Sequence, residues 1–467
     1  MSDEILGDYA AYVRGKLSRV PPTGIASGFS VPGELFPHQK ALTAWALRRG
    51  RAAIFADTGL GKSRMQLAWA DAVHRHTKRP VLILAPLAVA SQTVEEGAAM
   101  GIDVSLCREA SQVGLGLNIT NYDRLHRFDQ AMFGAVVLDE SSCIKHHDTK
   151  TLKTLLDSFT QTPFKLCATA TPAPNDWTEL GTHAEFLGIC TRQEMLSEFF
   201  THDGGDTSVW RLKGHARHLF WQWVSGWGAM VRKPSDLGFD DNAYALPPLH
   251  LHEHTVKTEM PLNGMLFAAE AQTLSERRDA RRMSMQDRVR ECASIVNGEP
   301  GEPWVVWCDL NAEGDALTAA IDGAVQIAGA DSVEVKEQRL AEFAAGKFRV
   351  LVSKPSICGF GLNWQHSARM AFVGVTDSFE AYYQAVRRSW RFGQKRDVHV
   401  HIFASSAEGA VVANLRRKER DAASMAESLS AETRDAVLAE VIGQQRQTNT
   451  HNAQNRVAVP AFLKEAA

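Results

Sequence analysis

The chain lacks any apolar run long enough to cross a bilayer: the longest, Val81 to Val89, is broken by Pro86 and falls far short of the ~20 residues a spanning helix needs. No membrane partner is expected. The start, Met-Ser-Asp-Glu, has no basic-then-apolar pattern of a secretory leader, so a cytoplasmic location is expected. Cysteine is sparse and odd in number, seven in all, with no C-x-x-C pair, which argues against a disulfide framework or a zinc ribbon. Charge of one sign is also missing. With 51 Lys and Arg against 54 Asp and Glu, the net charge of −3 excludes a surface coated throughout in nucleic-acid-binding charge. At 45% hydrophobic and 22% charged residues, disorder, collagen and coiled coil are excluded as overall descriptions.

What is present is uneven. Residues 339–420 carry 14 Lys and Arg against 6 Asp and Glu, a local basic segment suited to a polyanion bound in one place. A length of 467 residues suggests two or three domains. Short buried strands are read at 52–55, 81–84, 117–120, 136–138 and 165–168, and again at 304–307, 325–327, 350–352, 370–373 and 398–403. Apolar runs of this length, separated by helical or polar stretches, predict parallel sheets covered on both faces. The expected architecture is α/β: two doubly wound parallel-sheet lobes in tandem, at 31–190 and 299–425, with a helical insertion and linker at 191–298. An N-terminal arm (1–30) and a polar tail (426–467) complete the expected plan.

Ala56-Asp57-Thr58-Gly59-Leu60-Gly61-Lys62-Ser63 follows one such strand and opens a helix. Glycines at Gly59 and Gly61 let backbone N–H groups turn toward phosphate oxygens, and the helix N-terminus adds partial positive charge. Lys62 would reach the outer phosphates of ATP and the Ser63 hydroxyl would hold Mg2+. Ala56 stands where the strict phosphate-loop pattern has its first glycine. Asp139-Glu140 ends the strand Val136-Val137-Leu138, as expected of a carboxylate that holds Mg2+ through water beside one that activates the attacking water. Gln384, Arg387, Arg388 and Arg391 form a third cluster. Helical spacing brings the arginines together, as donors aimed at a γ-phosphate must be.

In this order the motifs resemble superfamily 2 helicase-type ATPases, and among them the Swi/Snf-type DNA translocases. Leu35-Phe36-Pro37-His38-Gln39 is similar to the adenine-reading segment, with Gln39 the base contact, and 56–63 to motif I, with Thr58 among its nucleotide contacts. Leu84-Ala85-Pro86 and Ile119-Thr120-Asn121-Tyr122 resemble motifs Ia and Ib, so Pro86 and Thr120 are expected at nucleic acid. Asp139-Glu140-Ser141-Ser142 resembles motif II, and Ala168 to Pro172 motif III, with Asn175 continuing the match. Trp304 to Cys308 is similar to motif IV and Gly359-Phe360-Gly361-Leu362-Asn363 to motif V, which implies nucleic-acid contacts at Asn363 and Trp364, with core packing the alternative for Trp364. Gln384 to Gln394 resembles motif VI, and its ending Arg-Phe-Gly-Gln-Lys-Arg-Asp matches the Swi/Snf group in particular. The sequence departs from the pattern at Ser142, usually histidine or glutamine, and at Arg387, usually glycine.

The resemblance implies two RecA-like lobes that clamp Mg·ATP between Lys62, Ser63 and Asp139 on one side and Arg388 and Arg391 on the other, with Glu140 as the catalytic base and Gln384 beside the nucleotide. It also implies a monomeric motor on double-stranded DNA, similar to short bacterial or phage translocases. A strand-separating DNA or RNA helicase and a non-catalytic, ATP-gated clamp are the alternatives, and service to a nuclease or replication partner stays open. Two further features stand out. The aromatic cluster Phe199, Phe200, Trp210, Phe220, Trp221, Trp223 and Trp227 is expected mainly as core, and His250, His252 and His254 are expected on one side of a strand, where a metal is a minor reading.

Overall fold

A computed structural model describes residues 20–86, 89–173, 176–203, 206–256, 282–358, 363–374 and 379–405, with positions 417, 420, 434, 438 and 441. Most of the expected arm and tail, Asn175, and Gly359 to Leu362 lie outside the described residues. Two parallel sheets carry the molecule, one of seven strands and one of six, as tandem RecA-like α/β lobes require.

Lobe 1 opens with α1 (Pro37–Arg49), β1 (Arg51–Ala56), α2 (Lys62–Thr77), β2 (Val81–Ala85), α3 (Ala90–Ala99) and β3 (Val104–Leu106). It continues with β4 (Leu117–Asn121), β5 (Ala135–Asp139), α4 (Lys150–Phe159), β6 (Phe164–Thr169), α5 (Leu180–Leu187) and α6 (Arg192–Phe199). Its strand order is β3-β4-β2-β5-β6-β1 with one further strand beyond β1. Alternation along each strand divides the core. Val81 and Ile83 face one cluster with α1 and α2, whereas Leu82 and Leu84 face a second with α4 and α5. Both faces are thus dry, which is why these strands read as unbroken apolar runs.

The segment expected as a helical insertion adds to both sheets. Among its described residues it holds α6, an antiparallel hairpin, β7 (Phe200–Asp203) and β8 (Asp206–Leu212), the helix α7 (Arg217–Ser225) and, at its end, the helix over Met285–Gly298. Then β9 (Gly228–Val231) pairs in parallel with β1 as the seventh strand of lobe 1, and β10 (Leu249–Val256) joins the second sheet. Four apolar residues, Gly228 to Val231, are all buried, so this short run lowers its free energy against β1 rather than as a separate module. Phe220, Trp221, Trp223 and Trp227 are buried in the lobe 1 core beside Phe199 and Phe200, as the core reading expects, and Trp210 packs partly buried against them.

Lobe 2 comprises α8 (Met285–Gly298), β11 (Trp304–Trp307), α9 (Asn311–Ala320), β12 (Ala324–Ile327), α10 (Val333–Ala344), β13 (Val350–Ser353), β14 (Arg369–Phe372), α11 (Phe379–Val386) and β15 (Val398–Ser405). The order β10-β15-β14-β11-β13-β12 leaves β10 as an edge strand. No described helix is long and apolar enough to cross a membrane.

The edge pairing of β10 brings the alternating histidines against a second set. His250 lies opposite His399 and His252 opposite His401. The rings stack in a ladder in which His252 Nε2 lies 2.9 Å from His399 Nδ1 and His254 Nε2 lies 3.0 Å from His401 Nδ1. Asp397 receives His250 at 3.0 Å, and Glu291 lies 3.4 Å from His254. Among the described residues no group of three or more His, Cys, Asp or Glu is arranged to hold a metal.

Burial and the neighbouring imidazoles hold His401 down at about 3, and His252 and His399 shift the same way. Such groups take up protons more readily in the unfolded chain, so the stability they lend is complete above the ordinary value of 6.5 and declines as the pH falls below it. We expect unfolding followed between pH 7.5 and 5 to lose roughly 1 kcal/mol through the ladder, after allowance for its partial exposure. His401→Phe should flatten that dependence, and an unchanged slope in the variant would remove the ladder as its source.

Candidate nucleotide-binding and hydrolysis site

The loop between β1 and α2 turns on two glycines in the left-handed region, Gly59 (φ 90°) and Gly61 (φ 81°). Both are required. A Cβ on Gly61 would sit 2.2 Å from Gln39 Nε2, and one on Gly59 would press against the Phe392 backbone nitrogen of lobe 2 at 3.0 Å. Gln39, buried on α1, donates to Leu60 O at 2.9 Å and accepts from Phe36 N at 3.0 Å, so it ties the adenine-reading segment to the loop. Lys62 Nζ lies over the loop, donating to Ala56 O at 2.9 Å. Burial pulls its pKa down, opposed by the charges of Glu140, Asp57 and Asp139.

A cavity of about 250 Å³ opens above this loop. Lobe 1 lines it with Gln39, Thr58, Gly59, Gly61, Lys62, Ser63 and Glu140, and lobe 2 with Asn363, Gln365, Arg388, Arg391 and Phe392. Phe36, Tyr244 and Phe392 form an aromatic rim, the Tyr244 and Phe392 ring centroids being 4.8 Å apart. Glycines where a Cβ would collide, a lysine, a hydroxyl and facing guanidinium groups make a donor-rich cradle that fits a nucleoside triphosphate.

Asp139 lies behind the cavity wall at the end of β5. Gln66, one turn along α2 from Lys62, donates to its Oδ1 at 2.7 Å, and Tyr122 Oη donates to its backbone O at 2.7 Å. Burial raises the Asp139 pKa despite Gln66 and Lys62. A divalent cation would reverse that tendency and favour the carboxylate, so Ser63 and Asp139 fit a Mg2+ held partly through water. Glu140 has φ 53°, a left-handed backbone uncommon for a non-glycine residue, and its Oε1 accepts from Gln384 Nε2 of lobe 2 at 3.2 Å. Strain of ~1–3 kcal/mol at such a residue points to a positional demand on its carboxylate.

Arg388 and Arg391 come from the turn after α11. Arg388 Nε donates to Gln384 O at 3.0 Å, and burial pulls its pKa down to about 9, opposed by Glu140 and Asp139. Burial likewise lowers that of Arg391, with Glu96 the opposing charge. Gln384 is buried beside the cavity rather than in its lining, with Oε1 unpartnered. Behind motif II, Ser141 Oγ lies 3.1 Å from His183 Nε2 on α5, and burial holds His183 at about 4. Ser142 is buried.

The expected nucleic-acid contacts fare differently. Trp364 is fully buried between Trp307 and Phe343, and its backbone N donates to Arg388 O at 2.9 Å. It is a core residue that braces motif VI, which is the packing alternative and not a place on nucleic acid. Asn363 lines the inter-lobe cavity with Oδ1 unpartnered. Thr120 is buried at the end of β4, its hydroxyl without a partner, and Pro86 is half-buried where β2 ends. Sequence reasoning missed Gln66, Glu96, Tyr244 and Phe392. Only Gln66, four residues after Lys62 on one helix face, carried a local signal.

Among solved structures, the chain is similar to the Sulfolobus solfataricus SWI2/SNF2 ATPase core in complex with dsDNA, with 17% identity and a TM-score of 0.42 over 89% of this chain and 98% of that one. No family model and no curated protein matches the chain.

Proposed function

We propose that the chain is a Swi/Snf-type, ATP-dependent translocase that moves along double-stranded DNA without sequence preference, as a cytoplasmic monomer. The observation that supports this reading most is the mixed lining of one cavity by Lys62, Ser63 and Glu140 of lobe 1 and Arg388 and Arg391 of lobe 2. A site divided between lobes is complete only when they close, so the chemistry at the cleft is tied to relative motion of the two sheets. Mg2+ held by Ser63 and Asp139 would neutralise phosphate charge. Lys62 would orient the outer phosphates, Glu140 would accept a proton from the attacking water, and Arg388 and Arg391 would stabilise charge on the transferred group. The basic stretch at 339–420 supplies candidate phosphate contacts, which carry no sequence information and weaken with salt.

The test compares ATP hydrolysis without nucleic acid and with single-stranded DNA, duplex DNA or RNA. Duplex DNA should stimulate most, and during hydrolysis a third strand should be displaced from a triplex while a simple fork stays paired. Rapid fork separation without triplex displacement would replace the translocase with a strand-separating helicase. Nucleotide binding without hydrolysis under every condition would leave a clamp.

A further inference from the structure

Arg387 stands where the family pattern has glycine and, unlike Arg388 and Arg391 with which the sequence groups it, does not line the cavity, a correction to its expected place among the phosphate donors. Its guanidinium reaches the other lobe instead: Nη2 lies 3.2 Å from Asp57 Oδ2, at the exit of β1. Tyr383, one helical turn earlier on α11, donates its hydroxyl to Asp57 Oδ1 at 2.6 Å. The Asp57 backbone N donates to Val231 O of β9 at 2.9 Å, so the residue just past β1 is tied to the neighbouring strand. On the lobe 2 side, the Arg387 guanidinium lies over the Tyr383 ring at 5.1 Å and the Trp390 ring at 4.5 Å. Trp390 Nε1 in turn donates to Pro247 O, in the segment that joins the lobes, at 2.8 Å.

We propose that Asp57, Tyr383 and Arg387 form an inter-lobe clasp, a set of positioning residues that holds the cleft closed enough to keep Arg388 and Arg391 facing the phosphate loop. Neither Asp57 nor Tyr383 lines the cavity; Asp57 Oδ1 also accepts from Thr58 N at 2.6 Å, so the clasp adjoins the phosphate loop without entering the cavity. It is made of protein atoms alone. Both partners of the ion pair are largely shielded, with side chains 11% and 21% exposed, so it escapes the screening that weakens surface pairs. Its neighbours fit an ionised pair: burial raises the Asp57 pKa, yet Arg387, Tyr383 and Lys62 outweigh it and hold the carboxyl below its ordinary value.

A clasp that favours the closed arrangement raises the fraction of molecules ready for ATP, and its loss reduces apparent affinity by that fraction. The inference rests on the ATPase reading for its kinetic readout and is independent of it for its structural one. Small-angle scattering and inter-lobe energy transfer on the full chain, without nucleotide, should show Arg387→Ala as more open than the parent. Its ATP Kd should rise by about tenfold while kcat at saturating ATP stays within about threefold, because bound nucleotide then supplies the closure. Arg387→Lys should recover part of the affinity. The Asp57→Asn and Arg387→Ala double variant should be no worse than the poorer single one.

An unchanged lobe separation in Arg387→Ala would overturn the clasp. So would a large loss of kcat with Kd intact, which would place Arg387 on the transferring phosphate. If the parent protein hydrolyses no ATP, the translocase reading fails, and the lobe-separation measurement still decides the clasp.

Discussion

Replacing Glu140 with Gln should leave ATP binding within about threefold and cut hydrolysis by at least ~10²-fold, the scale of a lost general base. The substitution is nearly isosteric, and the groups expected to hold Mg·ATP, Lys62, Ser63 and Asp139, are untouched. What changes is the charge and basicity of one side chain. Glu140 sits at the end of β5 with a left-handed backbone, and Gln384 of lobe 2 donates to its Oε1. A glutamine oxygen could still accept that bond, so the lobes should keep their relation while the attacking water loses its proton acceptor. Binding of labelled ATP and a single-turnover time course separate the two effects. Turnover close to that of the parent protein would remove Glu140 from its role, and loss of binding would mean that the carboxylate supports the site rather than the reaction.

Arg391→Ala should lower kcat by ~10³ or more with a much smaller change in ATP affinity, the usual scale for an arginine that meets a transferring phosphoryl group. Arg391 reaches the cavity from lobe 2, among Asn363, Gln365 and Arg388, and faces Glu96 of α3 electrostatically. A flat guanidinium presents a fork of donors that lysine cannot reproduce, so Arg391→Lys should stay well below the parent. The contrast with Arg387→Ala is diagnostic, since the clasp variant should lose affinity and keep kcat. Equal losses of kcat in both would mean that the two arginines act on the same phosphate.

The central strands of both lobes were legible because they are dry on two faces, which leaves a short apolar run that few other structures explain. The phosphate loop and motif II were legible for a related reason. Nearly all their chemistry lies within a few residues of a strand end, at Gly59, Gly61, Lys62 and Ser63, and at Asp139 and Glu140. Motif VI was legible as a cluster of arginines, although these lie in the turn after α11 rather than on a helix, and their partners were not legible.

What lay outside the reach of local pattern was pairing over long separations. Trp364 could not be assigned from its neighbours, because a tryptophan beside a motif has the same sequence signature whether it stacks on a base or fills a core. Only the approach of Trp307 and Phe343 made it a core residue. In the same way β9 has an apolar stretch short enough to belong anywhere, and its place beside β1 depends on the edge that β1 leaves open. The histidines of β10 acquired partners only when β15 lay alongside them in register. By itself the sequence determined two parallel-sheet lobes and the residue types of a nucleotide site, since strand burial and loop geometry act over a few residues. The tertiary structure alone decided that Asp57 meets Tyr383 and Arg387 across separations of 326 and 330 residues, because a charge finds its partner through the packing of whole lobes.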